Sequence, residues 1–161
     1  MHDDIRRRFA DVSIASVYNQ LGAALAGQGL ADEARAAMEE GITARGATEQ
    51  ADGSTLALLI NLGNALREQG ELLRAADVFE RAALLARQQG RALGALLNNY
   101  ALVARDAGDS ERALLLWRQA LEEVQGEGAS EFASGVEGVI RGNIRSLLGH
   151  GLATEGGNDD R

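Results

Sequence analysis

The chain has 161 residues, 45% of them hydrophobic and 25% charged, with a formal net charge of −8 and neither cysteine nor proline. That length suits one domain with a real core, the composition excludes wholesale disorder, and the acidic balance argues against nucleic acid, which needs a basic footprint. Without cysteine there is no disulfide framework and no thiolate metal site, which fits a cytoplasmic location.

The hydrophobic share is mostly alanine and leucine, and aromatics are only 4%. Closely packed helices suit such residues, whereas sheets favour β-branched and aromatic ones. Absence of proline leaves helices uninterrupted. No run approaches the ~18 apolar residues of a membrane span. No apolar segment follows Arg6, Arg7 and Arg8, so no export signal is expected.

In chain order, residues 1–12 are an apolar-sparse lead-in, with Ile5, Phe9 and Val12 at helical spacing. A helix is predicted over 13–28, with Val17, Leu21 and Leu25 as its stripe and Tyr18 and Gly22 beside it; Gly27 and Gly29 end it. Asp32 and Glu33 favour the next helix start, and Ala34, Ala37, Met38 and Ile42 give its buried stripe. Residues 46–53 read as a loop. Ser54 or Thr55 caps a helix running to about 69 on Leu56, Leu59, Leu62, Gly63 and Leu66. Gly70 turns the chain into a partner helix over about 71–89, carrying Leu72, Ala75, Val78, Phe79, Ala82 and Leu85. A third pair spans about 91–107 and 110–125, with Gly108 between them and Ser110 as cap. The small-residue segment 126–135 leads to a last helix over about 130–149, apolar over more than one narrow stripe, and 151–161 has the composition of a disordered tail.

The helix pairs repeat one another. Leu59-x2-Leu62-Gly63-x2-Leu66, Gly70 and Ala75-x3-Phe79-x2-Ala82 recur 38 residues on as Leu97-x2-Tyr100-Ala101-x2-Ala104, Gly108 and Ala113-x3-Trp117-x2-Ala120. The first pair carries Tyr18-x2-Leu21-Gly22-x2-Leu25, Gly29 and Ala34-x3-Met38-x2-Gly41, at a constant offset of 41 from the second. This pattern resembles the tetratricopeptide repeat, with its W-x2-L-G-x2-Y, A-x3-F and Pro signature. The resemblance implies an all-α fold, a right-handed α-solenoid of three antiparallel helix pairs (about 13–46, 54–90 and 91–126) plus a C-terminal capping helix. Small residues at Gly22, Gly63 and Ala101 face Ala34, Ala75 and Ala113, so the paired axes approach closely, and Met38, Phe79 and Trp117 fill the space between pairs. The closing Pro is missing, and the repeats exceed the usual length of about 34 residues. The longer form, with asparagines in its first helices, is similar to the repeats of kinesin light chains and comparable bacterial proteins. Gly41, where other copies have alanine, makes the first repeat the softest, since a mid-helix glycine costs about 1 kcal/mol.

In such arrays the first helix of each pair lines the concave face. Just before each stripe residue stand Gln20, Asn61 and Asn99, with Asn143 continuing the series. In the resembling families, asparagines at this place hold the backbone of an extended peptide, because an amide carries both donor and acceptor. Asn64 and Asn98 adjoin them, and Arg67 and Arg105 recur 38 residues apart, favouring an acidic or carboxylate-terminated ligand unless Glu68, Asp106 or nearby acids neutralise them. The clamp that grips chaperone tails needs lysine, and Ala95 stands where one is expected, so that partner is disfavoured. His2 and His150 lie near opposite ends, the paired acids fall on solvated faces, and no phosphate loop is present. No catalytic residue, metal or cofactor is expected. Two functions remain: a non-catalytic scaffold or adaptor binding a partner's peptide in its groove, or a self-association domain whose terminal helices pair into a homo-oligomer. The chain also reads as the repeat part of a larger regulator. Neither nucleic acid nor membrane is an expected partner.

Overall fold

A computed structural model describes residues 14–44, 53–126 and 131–155. The described residues form seven helices and no strand: α1 (Ile14–Gly27), α2 (Ala31–Ala44), α3 (Gly53–Glu68), α4 (Leu72–Gln88), α5 (Gly94–Asp106), α6 (Ser110–Gly126) and α7 (Glu131–Glu155). The lead-in 1–12, the loop 46–52 and the linker residues 127–130 lie outside the described residues. The architecture is all-α, built from consecutive helix pairs.

Pairs are closed by tight turns of one design. In the turn between α1 and α2, Leu30 N–H donates to Leu25 O at 3.0 Å; between α3 and α4, Glu71 N–H donates to Leu66 O at 2.9 Å. The same bond recurs as Asp109 N–H to Ala104 O at 2.9 Å. Each reaches back across a glycine in the left-handed region, Gly29, Gly70 and Gly108 at φ 78°, 78° and 81°. Only glycine takes that conformation without a Cβ penalty, so it stops one helix while its neighbour's amide satisfies the exposed carbonyls.

Two compact units divide the chain, residues 1–85 and 86–161. In the first unit α1 packs on α2, and both pack on α3. A Cβ at Gly22 would lie 2.6 Å from Met38 Cε, and one at Gly63 would lie 2.7 Å from Phe79 Cε2. These glycines are therefore required by close approach of a second-helix side chain. Phe79, Ala75 and Ala82 are fully buried beneath α3. In the second unit α5 packs on α6, and α7 packs mainly on α6 with a smaller contact to α5. Trp117 is its largest fully buried side chain among the described residues, and Ala101, Ala113 and Ala120 are fully buried as well; Gly94 makes room for Val124.

Several expectations are corrected. Val17 and Leu21 are 50% and 46% exposed, while Ala15 and Gly22 are buried. The apolar stripe of α1 was legible, but nothing among the described residues covers half of it. Gly41 has a packing role that its helix-propensity cost did not show: a Cβ there would collide with Tyr18 and lie 3.1 Å from Leu58 Cδ2, so its small size lets α1, α2 and α3 meet. Ser54 and Thr55 lie inside the first turn of α3 rather than capping it. The cap of α6 is Asp109, whose Oδ1 accepts Arg112 N–H at 2.9 Å, and Ser110 is the first helical residue. The last helix continues through Glu155, so 151–155 are helical where a tail was expected, and 156–161 lie outside the described residues.

Candidate functional site

The amide-bearing residues sit on the first helices of the pairs, held there by the leucine stripes that turn the opposite faces inward. In the first unit Gln20 is exposed on α1, with only a long 3.4 Å contact from Nε2 to Ser16 Oγ. Asn61 is half-buried and donates Nδ2–H to Asn19 Oδ1 at 2.8 Å, joining α3 to α1. Asn64 and Arg67 follow along α3, both half-buried.

The second unit repeats this arrangement. Asn143 of α7 donates Nδ2–H to Asn98 Oδ1 at 3.0 Å. Asn98 occupies the register position of Asn19, so one asparagine clasp between first helices occurs in both units. At Asn98 the carbonyl also accepts Trp117 Nε1–H at 3.0 Å, and the residue is only 9% exposed. Its oxygen is thus shared by two internal donors. Asn99 is half-buried beside it, and among the described residues no side-chain hydrogen bond engages Asn64 or Asn99. Arg105 donates from Nε and Nη2 to Asp106 Oδ1 at 3.0 and 2.7 Å, which balances its charge locally. Arg112 lies over the Tyr100 ring, 5.2 Å from its centroid, and bonds its hydroxyl.

Charge on the second helices is largely paired among neighbours. Arg74 joins Glu39 to Glu71, and the Glu71 hydrogen bond, with Glu39 adding to it, raises its pKa above the ordinary value. The Glu40 carboxylate accepts the Tyr18 phenol and pushes its pKa up. On α7 the bond from Arg141, then one from Gln125, holds Glu137 below its ordinary range.

The clefts lie elsewhere. One of about 270 Å³ in the first unit is lined by Glu39, Ile42, Leu66, Arg74 and Arg81. An open one of about 750 Å³ in the second is bordered by Arg87, Arg91, Glu122 and Glu123. Neither contains any of the expected site residues. Among the described residues no group of His, Asp or Glu is arranged to hold a metal ion, and no helix is long and apolar enough to cross a membrane.

Sequence reasoning missed Asn19 and the indole of Trp117. The signal for Asn19 was present, since it stands at the register position of Asn98, where the second pair has Ile60. The indole bond had none, because Trp117 was legible only as a large apolar knob.

A family model described as tetratricopeptide repeat matches residues 14–52 and 55–88, the first two helix pairs. The match supports a tetratricopeptide-repeat family for this chain. No curated protein matches it.

Proposed function

We propose that this chain is a non-catalytic scaffold or adaptor whose first helices take an extended peptide of a partner protein. Tetratricopeptide repeats generally mediate protein–protein interaction, and the proposal adds a residue-level account. The observation that carries it is the contrast among the amides. Asn98 and Asn143 are committed to an internal network. Asn64 and Asn99 are half-buried on first helices, with no side-chain hydrogen bond among the described residues. A half-buried amide without a partner is preorganised to pair with a peptide unit at little entropic cost. Gln20 and the remaining carbonyl of Asn61 extend that capacity. Arg67 and Arg105 favour an acidic residue or terminal carboxylate in the ligand, although each already has a partner within the chain. The repeat length and the asparagines support a kinesin-light-chain-like form, and the acidic charge and lack of cysteine support a cytoplasmic role on a protein rather than on nucleic acid or membrane.

The test is capture of partners from a native cell extract by wild type and by the Asn64→Ala/Asn99→Ala double variant. The double variant is expected to lose the captured proteins, at least tenfold by recovered amount, with an unchanged far-ultraviolet helix signal. Equal capture by both removes the amide reading.

A further inference from the structure

Among the described residues the two ends of the repeat register are both open, and they complement each other. At the leading end, Ile14, Val17 and Leu21 of α1 are 38%, 50% and 46% exposed. Their register equivalents on α3 are Thr55, Leu58 and Leu62, which are 3%, 0% and 3% exposed. Leu58 is covered because it seats against Gly41 of the preceding pair. The face of α1 therefore has the shape and chemistry of a first helix that receives a preceding element.

At the other end, the Asn143–Asn98 bond reproduces Asn61–Asn19, so α7 stands in the register of a first helix. Ile140, fully buried, matches Leu58, which is likewise fully buried. On α1 the residues toward α3 are Asn19 and, one turn earlier, Ala15. The equivalents on α7 are Gly142 and Gly138, where a Cβ would meet nothing within 4 Å. Val139 and Leu148 beside them are 55% and 51% exposed.

We propose that α1 of one copy docks on the open face of α7 of a second copy, continuing the first-helix packing head to tail. The internal α1–α3 contact is the template for this interface. Charge selects the arrangement. α1 carries no charged residue, and α2 behind it carries Asp32, Glu33, Glu39 and Glu40 against Arg35 alone. On α7 Arg141 is paired with Glu137, and Arg145 has no carboxylate partner among the described residues. Two α7 faces brought together would oppose Arg145 to its own copy, whereas the α1–α2 end brings carboxylates. A heterologous contact of this kind does not close at a symmetric dimer but continues into a ring or an open chain. It uses neither Asn64 nor Asn99, the two amides that the capture test removes, so the two readings fail separately.

The experiment is sedimentation velocity of the full chain over a hundredfold concentration range. Wild type should rise in mean mass past the dimer. Leu21→Arg blocks the leading end, and Gly142→Trp blocks the trailing end in open space; both sites are exposed, and circular dichroism checks that each variant folds. Each alone should remain monomeric, and an equimolar mixture should stop at a 1:1 dimer. Should Leu21→Arg fail to fold, Val17→Arg takes its place. A monomeric wild type at every concentration overturns the proposal and assigns the α1 face to residues 1–12 of the same chain or to another protein. Dimerisation of Leu21→Arg alone, or of Gly142→Trp alone, overturns it in favour of a symmetric contact.

Discussion

Asn98 ties three helices of the second unit together, because its one oxygen holds two donors from two other helices. Trp117 is fully buried, so its indole N–H has no recourse to water. Asn98→Ala should therefore leave a buried donor unpaired and cost about 1–3 kcal/mol, read as a lowered midpoint in urea at unchanged slope. Asn99→Ala, one residue along, should shift that midpoint by less than about 0.5 kcal/mol. This pair of neighbours shows what the amino-acid pattern could and could not supply. The repeat register located the asparagines of the first helices. It could not say which amides face another amide and which face outward, because that depends on the rotation of a neighbouring helix by a fraction of a turn.

Helix identity and pairing were legible because leucine and alanine recur at helical spacing and glycine punctuates them; the helix ends moved by only a few residues. What periodicity does not report is whether an apolar face has a neighbour. Val17 and Leu21 read as core by spacing, and they are half exposed. The same blindness affected Gly41, whose helix-propensity cost was visible while its contacts with Tyr18 and Leu58 were not. Two effects oppose at this position: alanine gains about 1 kcal/mol in helix propensity, and overpacking costs about 1–3 kcal/mol. The obstructing atoms include Tyr18 Cβ, which is fixed to the α1 backbone and cannot swing aside. Gly41→Ala is therefore expected to lower stability, measurable as a fall in thermal midpoint; a rise would mean that α1 and α2 separate freely.

At the level of the whole molecule, pH should act through exposed but specifically bonded groups. Glu137 accepts Arg141 Nε and Nη2 at 3.0 and 2.7 Å, and its pKa is lowered from the ordinary 4.5, first by that bond and then by Gln125. A depressed carboxylate stabilises the fold above its unfolded-state value, and the contribution is lost as pH falls through the folded-state value. Wild type should thus exceed Glu137→Gln in thermal midpoint at pH 7, and the two should converge in acid, below pH 4.5. Salt should narrow the gap, since the ion pair is exposed. Tyr18 behaves in the opposite sense: its raised pKa makes the Glu40 bond a contribution present below pH 10 and lost at higher pH.

The glycine turns have a consequence for how the chain reaches this state. Each brings two helices together with only a few residues between them, so the largest contacts in each unit join segments adjacent in sequence. Closing so short a connection costs little chain entropy and takes on the order of 100 ns or less. No proline is present to impose a slow isomerisation. Each hairpin can thus assemble alone before it meets the next, and the slow event in folding becomes the stacking of finished hairpins rather than the search for them.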